Sequence, residues 1–177
     1  MFLVVKRHGA IVTVGAALAV AALAPPALAA APPTRAQIHA AVKRALRSHE
    51  IWSTVNICDT KHHPNTIGIR GQMPSLSFRS SMFMDVQVDY WSYKHKRFEP
   101  DPGVKELVSL GDPVNRIVQG GAMFKFKPSA ILSGTVTFEW KLDGKLIASR
   151  RRATGGGHKN AEYGDPPGYS SVDCYIN

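Results

Sequence analysis

From Trp52 onward, apolar and polar residues alternate with a period of two, in short runs separated by Gly, Pro, Asn and Asp. That period marks strands with one face on a core and one face in water. Trp52–Cys58 is the first run, carrying Val55 and Ile57. Residues 66–70 form a second, with Ile67 and Ile69 on one face. Residues 82–93 form the longest: Met84, Val86, Val88 and Tyr90 alternate with Asp85, Gln87 and Asp89. This predicts Tyr90 on the core side, and Trp91 and Tyr93 on the wet side with Asp89. Residues 114–127 read as a strand interrupted at Gly120-Gly121, where a bulge or bend fits.

Residues 135–150 give the clearest signal, that of a hairpin. Val136, Phe138, Trp140 and Leu142 face one way; Thr135, Thr137, Glu139 and Lys141 face the other. Asp143-Gly144 suits a two-residue type I′ turn, which needs φ > 0 at both positions. Such a turn is expected to set Ile147 opposite Trp140. The last run, 169–176, contains Cys174.

Helical spacing occurs earlier, over residues 34–49. Thr34 fits an N-cap, and Ile38, Ala41, Val42, Ala45 and Leu46 follow at the helical period. Arg35, Lys43, Arg44 and Arg47 give this helix a cationic face. A helix of that kind can lie on an anionic membrane. Its apolar side is mostly Ala, which favours packing on a domain edge, or a partly ordered leader.

Seven or eight short strands with turn signals between them and no helical stretch after residue 50 predict a mainly all-β fold, an antiparallel β-sandwich with a short N-terminal helix. Asp165-Pro166-Pro167-Gly168-Tyr169, followed by Cys174, resembles the strand of immunoglobulin-like domains that carries an Asp, Gly, Tyr and Cys. The Tyr–Cys spacing is longer than in that motif, and no further strand follows. The resemblance implies an immunoglobulin-like architecture, which hosts many unrelated functions. The expected organisation is a signal peptide over 1–29, a spacer and amphipathic helix over 30–50, and the β-sandwich domain over 51–177.

The signal peptide rests on three features. Lys6, Arg7 and His8 form a positive start; residues 11–23 are an almost unbroken apolar run; Ala27-Leu28-Ala29 supplies the small residues at a cleavage site. The apolar run is shorter than the roughly 20 residues that span a bilayer. No cysteine follows it for lipid attachment, and no apolar tail ends the sequence. The expectation is a secreted, extracytoplasmic, soluble protein without a stable membrane anchor. Cleavage removes Lys6 and Arg7, so 22 basic residues become 20 against 13 acidic ones, a formal charge of +7. A basic exported protein is drawn to anionic polymers, and the same charge also serves solubility.

Two cysteines in an exported chain most often pair. Cys58 and Cys174 are therefore expected to form one disulfide; the alternative is two free thiols, one of them catalytic. No Cys-x-x-Cys or Cys/His signature supports that alternative.

No reaction is named by the residues. Asp59, His62 and His63 have the chemistry of zinc ligands, but adjacent His side chains diverge in an extended chain and no fourth ligand is close in sequence. There is no Gly-x-Ser-x-Gly elbow. Gly155-Gly156-Gly157 lacks the Lys-Ser/Thr ending of a phosphate loop and reads as a mobile loop flanked by Arg150, Arg151, Arg152, His158 and Lys159. No catalytic residue, metal site or cofactor is assigned. The segment 90–98 carries the functional expectation. Trp91 and Tyr93, followed by Lys94, Lys96 and Arg97, could stack on rings and hold an anionic backbone. The opposing reading has Trp91 turned inward or covered. The expected function is non-enzymatic binding of an anionic cell-envelope polymer or glycan, with no specific nucleic acid. The alternatives are an extracellular protein–protein interaction domain, as an inhibitor or assembly subunit, and a secreted hydrolase.

Overall fold

The structure is a computed structural model that describes residues 31–127 and 129–177. The signal peptide assigned to residues 1–29 lies outside the described residues. The described elements are helix α1 (Arg35–Leu46) and strands β1 (Trp52–Cys58), β2 (Thr66–Pro74), β3 (Ser81–Ser92), β4 (Arg97–Ser109), β5 (Ile117–Lys125), β6 (Ala130–Leu142), β7 (Lys145–Ala153) and β8 (Asp173–Ile176).

The strands form two antiparallel sheets, β1-β2-β5 and β4-β3-β6-β7. β7 pairs with β6 over Thr135–Leu142, and β8 pairs with the Ala130–Ser133 stretch below it. Lettered A to G in chain order, the first seven strands stack as A-B-E against D-C-F-G. A constant-type immunoglobulin domain stacks ABED against CFG, so only the fourth strand has changed sheets. The fold is an antiparallel β-sandwich of immunoglobulin-like architecture.

Alternation builds the core as the pattern required. Val55, Ile67, Ile69 and Met73 of one sheet, and Met82, Met84, Val86, Val88, Val136, Phe138 and Trp140 of the other, are almost completely buried in one cluster. The Trp140 indole N–H, taken out of water, donates to the Pro74 carbonyl at 2.9 Å. The turn after β6 has Asp143 at φ 50° and Gly144 at φ 75°, the left-handed pair a type I′ turn needs. Ile147, however, does not stand opposite Trp140. The ladder slips between Trp140 and Lys141, so that Trp140 faces Ala148 and Lys141 faces Leu146, leaving Ile147 as the extra residue of a bulge.

β4 is the strand the pattern missed. Pro100, Pro102 and Gly103 interrupt its sequence, and most of its residues are exposed. Proline is tolerated here because β4 is an edge. The Gln87 side chain donates to the carbonyls of Asp101 and Val104, filling the irregularity opposite Gln87–Asp89.

α1 starts at a capping box in which Thr34 Oγ1 accepts from Gln37 N–H at 3.3 Å and Gln37 Oε1 accepts from Thr34 N–H at 2.7 Å. Ala41 and Ala45 are buried in the core cluster, with Val42 and Leu46 packed beside them. The helix is thus docked on the sandwich. Among the described residues, no helix is long and apolar enough to cross a membrane.

Cys58 and Cys174 form the disulfide, with Cα atoms 5.3 Å apart, and tie the end of β1 to β8 across the two sheets. The connector between β7 and β8 covers β1, whose residues are buried on both faces from Trp52 to Ile57. Val55 and Ser171 exchange both backbone hydrogen bonds at 3.0 Å, and Ser53 O accepts from Gly155 N–H at 2.8 Å. The glycine run therefore begins on the β1 edge. Asp165 to Tyr169 also lie in this connector, after β7, and Tyr169 N–H closes a turn onto Pro166 O at 2.9 Å. The segment that resembled an immunoglobulin strand is a turn; the strand order carries the architecture.

Candidate functional site

The aromatic and basic segment occupies the end of β3, a tight turn and the start of β4. Ser92 organises the turn: its carbonyl accepts from Lys96 N–H at 2.7 Å and its hydroxyl from His95 N–H at 3.3 Å. Lys96 sits at φ 53°, which turns the chain back into β4. Tyr93 is 77% exposed, and Lys94, Lys96 and Arg97 are exposed with it.

Trp91 is only half-exposed. It stands opposite Phe98 in the ladder and meets that ring edge-on, with centroids 5.2 Å apart. Arg97 Nε donates to Glu99 Oε1 at 3.1 Å, and His95 Nδ1 lies 2.6 Å from the same oxygen. The hydrogen bond with His95 holds the Glu99 carboxyl below the usual range; burial opposes it, and the bond from Arg97 adds a lesser lowering. Of the five expected binding residues, Tyr93, Lys94 and Lys96 are therefore presented to solvent without an ion pair among the described residues. Trp91 is packed on Phe98, and Arg97 is committed to Glu99.

Tyr90 and Asp89 reverse the expected exposure. Tyr90 keeps the parity of the core residues before it but runs past the end of the packed interior, and is 41% exposed. Asp89 is on the other face yet buried, with its Oδ2 accepting from Thr135 Oγ1 at 2.6 Å. Parity assigns a face; it does not say how far the opposing layer extends.

Further cations stand on α1 and β7, two elements in contact with each other. Arg150 and Arg151 are exposed and Arg152 is half-buried on β7, while Lys43, Arg44 and Arg47 are exposed on α1. Of the 20 Lys and Arg in residues 31–177, only Arg97 and Lys141 form an ion pair among the described residues.

The Asp59, His62 and His63 loop is used structurally. Asp59 Oδ1 accepts from Asn65 N–H at 2.7 Å. Asp165 accepts from Thr60 Oγ1 and lies 3.3 Å from His62 Nδ1; the Thr60 bond contributes most to lowering its pKa. Among the described residues there is no group of three His, Cys, Asp or Glu side chains arranged to hold a metal ion. Among the described residues, the two His–carboxylate pairs, His62–Asp165 and His95–Glu99, show no serine hydroxyl hydrogen-bonded to the imidazole.

Residue patterns passed over Arg70 and Tyr163, which meet beside a cleft at the β5 edge of the β1-β2-β5 sheet. The available signal was Arg70 itself, a charge at the end of the Ile67–Ile69 alternation, two places from Gln72 on the same face. Tyr163 had no such signal, because its place depends on the path of the connector.

No family model matches the chain. No curated protein matches it either. Among solved structures, it is similar to a glycosyl hydrolase family 2 member from Bacteroides cellulosilyticus, at 12% identity and a TM-score of 0.36 over 62% of this chain and 15% of that one.

Proposed function

We propose that this protein is an exported, non-enzymatic binding module for an anionic cell-envelope polymer or glycan. One observation carries the reading: the Lys and Arg side chains of β7 and α1, with Lys94 and Lys96 of the β3–β4 turn, form no ion pairs among the described residues, so their charge is open to a partner. Charges left unpaired on a surface raise the local concentration of a polyanion and speed its capture. Tyr93, at the turn, adds an exposed ring for stacking. The disulfide suits an oxidising, extracytoplasmic compartment.

Retention on an immobilised polyanion, compared with a neutral polysaccharide resin, tests it. Salt should elute the protein, and a variant combining Arg150→Gln, Arg151→Gln and Arg152→Gln should elute earlier. Equal retention of variant and wild type on the anionic resin would sink this reading.

A second reading is favoured by the free edge of β5, which carries Ile117 at 52% and Met123 at 57% exposure. An unpaired edge can accept a strand from another protein. A partner captured through that edge would survive high salt, unlike a polyanion.

A further inference from the structure

A cleft of about 620 Å³ opens at the β5 edge of the β1-β2-β5 sheet, reached by Glu106 of β4. Arg70 and Tyr163 meet there, and Ile57 and Met123 supply apolar lining. Its size falls within the range of pockets that hold small organic ligands.

Two glycines permit the close packing beside the cleft. Gly121 stands opposite Arg70, and a Cβ there would overlap the Ile69 carbonyl. Gly68 stands opposite Ile57, and a Cβ there would meet Ile57 Cβ at 2.8 Å. A side chain at either place would disturb the packing on which Arg70 and Ile57 rest.

Arg70 is an incomplete group. Its Nε is buried without a hydrogen-bond partner among the described residues, and it makes no ion pair there. Loss of water pushes the guanidinium pKa down, and the nearby Glu162 charge only partly opposes this. A guanidinium held this way gains from an incoming anion, because its fork matches a carboxylate with two parallel hydrogen bonds.

Tyr163 is held beside it at a conformational cost. Its φ of 55° is unusual for a bulky residue. Asn56 fixes the turn by donating to the carbonyls of Glu162 and Tyr163 at 2.9 and 3.2 Å. The result is a ring with the Arg70 guanidinium carbon 4.9 Å from its centroid, yet 77% exposed. One face engages Arg70, and the exposure leaves the ring open to a second partner.

We propose that this cleft binds a carboxylate carried on a sugar ring, as in a uronic acid, with Arg70 gripping the carboxylate and Tyr163 stacking on the ring. Glu106 and His63, which also line the cleft, supply polar partners for ring hydroxyls. The proposal is independent of polymer capture by β7 and α1: it concerns a single small unit, and the β7 arginines take no part.

Calorimetric titration with glucuronate, glucose and benzoate tests it, with wild type, Arg70→Lys, Arg70→Met, Tyr163→Ala and Tyr163→Phe. Glucuronate should bind at least about tenfold more tightly than glucose, and Arg70→Met should remove that preference. Arg70→Lys keeps the charge without the fork and should restore only part of it. Tyr163→Ala should weaken binding and Tyr163→Phe should not. Amide shifts in the wild-type NMR spectrum at Gly121 and Tyr163 on adding glucuronate provide a readout free of any folding defect. Equal affinity for glucose and glucuronate, no shift at these amides, or undiminished binding by folded Arg70→Met would overturn the proposal. Benzoate binding more tightly than glucuronate would overturn the sugar assignment. The variant with three substituted β7 arginines should bind glucuronate like wild type, which separates failure here from failure of polymer capture.

Discussion

The indole of Trp52 lies flat against the imidazole of His158, with ring centroids 4.5 Å apart and planes 10° from parallel. The contact clamps the connector onto the outer face of β1. Burial there disfavours the charged imidazole and pushes the His158 pKa below its ordinary 6.5. The unfolded chain takes up this proton first. The stabilisation is therefore complete above the ordinary histidine pKa and declines as pH falls through it toward the folded value. The melting temperature should drop between about pH 7.5 and about pH 5, and His158→Phe should reduce that drop while keeping the stack. An unchanged pH slope in the variant would refute the assignment. The depressed carboxyls of Glu99 and Asp165 lose their contribution from the ordinary carboxylate range downward, so the comparison of variant and wild type is made above about pH 5.

Trp91 and Tyr93 are two residues apart, but substitution at each should register in a different assay. Trp91→Ala removes a ring packed on Phe98 and should cost about 1–2 kcal/mol of stability, seen in urea unfolding. Tyr93→Ala should leave stability within about 0.5 kcal/mol and instead reduce retention on a polyanion. If Tyr93→Ala also unfolds the protein earlier, the ring is structural and the turn is not a free binding surface.

Breaking the bridge should be costly because it closes a long loop. Cys58→Ser should lower stability by up to about 5 kcal/mol in the chain-entropy account, a fall of about 10–20 °C in melting temperature for a domain of this size. Intact protein should resist alkylation until reduced, which mass spectrometry would read directly. Alkylation without reduction would contradict the pairing of Cys58 with Cys174.

Gly121→Ala probes the close approach of β5 to β2. The added carbon would overlap the Ile69 carbonyl and lie 3.0 Å from Arg70 Cα, both backbone atoms that cannot rotate away. The expected loss is about 1–3 kcal/mol, measured by chemical denaturation. Gly111→Ala, where no atom lies within 4 Å but φ is 72°, should show only the smaller penalty of a left-handed alanine.

Much of this fold was legible because its information is local. Alternation along β3 and β6 named the core residues, and Asp143-Gly144 named its turn. Thr34 and Gln37 are close enough in sequence to announce a helix start. β4 escaped because Pro100, Pro102 and Gly103 erase the period at an edge where no burial enforces it. The aromatic and basic run over residues 90–98 was legible as a run, and so was the chance that Trp91 is covered, but its contact with Phe98 depends on the pairing of β3 with β4, which no period announced. Arg70 and Tyr163 lie in different parts of the chain and meet only through a connector whose course follows from hydrogen bonds to β1, not from any period.

The paired hydrogen bonds between Val55 and Ser171 set an order in time. Along the chain β1 is the first of the described strands, and its outer edge and its cysteine partner come more than a hundred residues later, at a separation of 116 for the two cysteines. Until then Trp52, Thr54 and Asn56 have no cover, and the sandwich cannot shut. Closure thus waits on the connector, so released chains truncated before Ser171 should remain open to proteases at β1 while the full-length protein resists them.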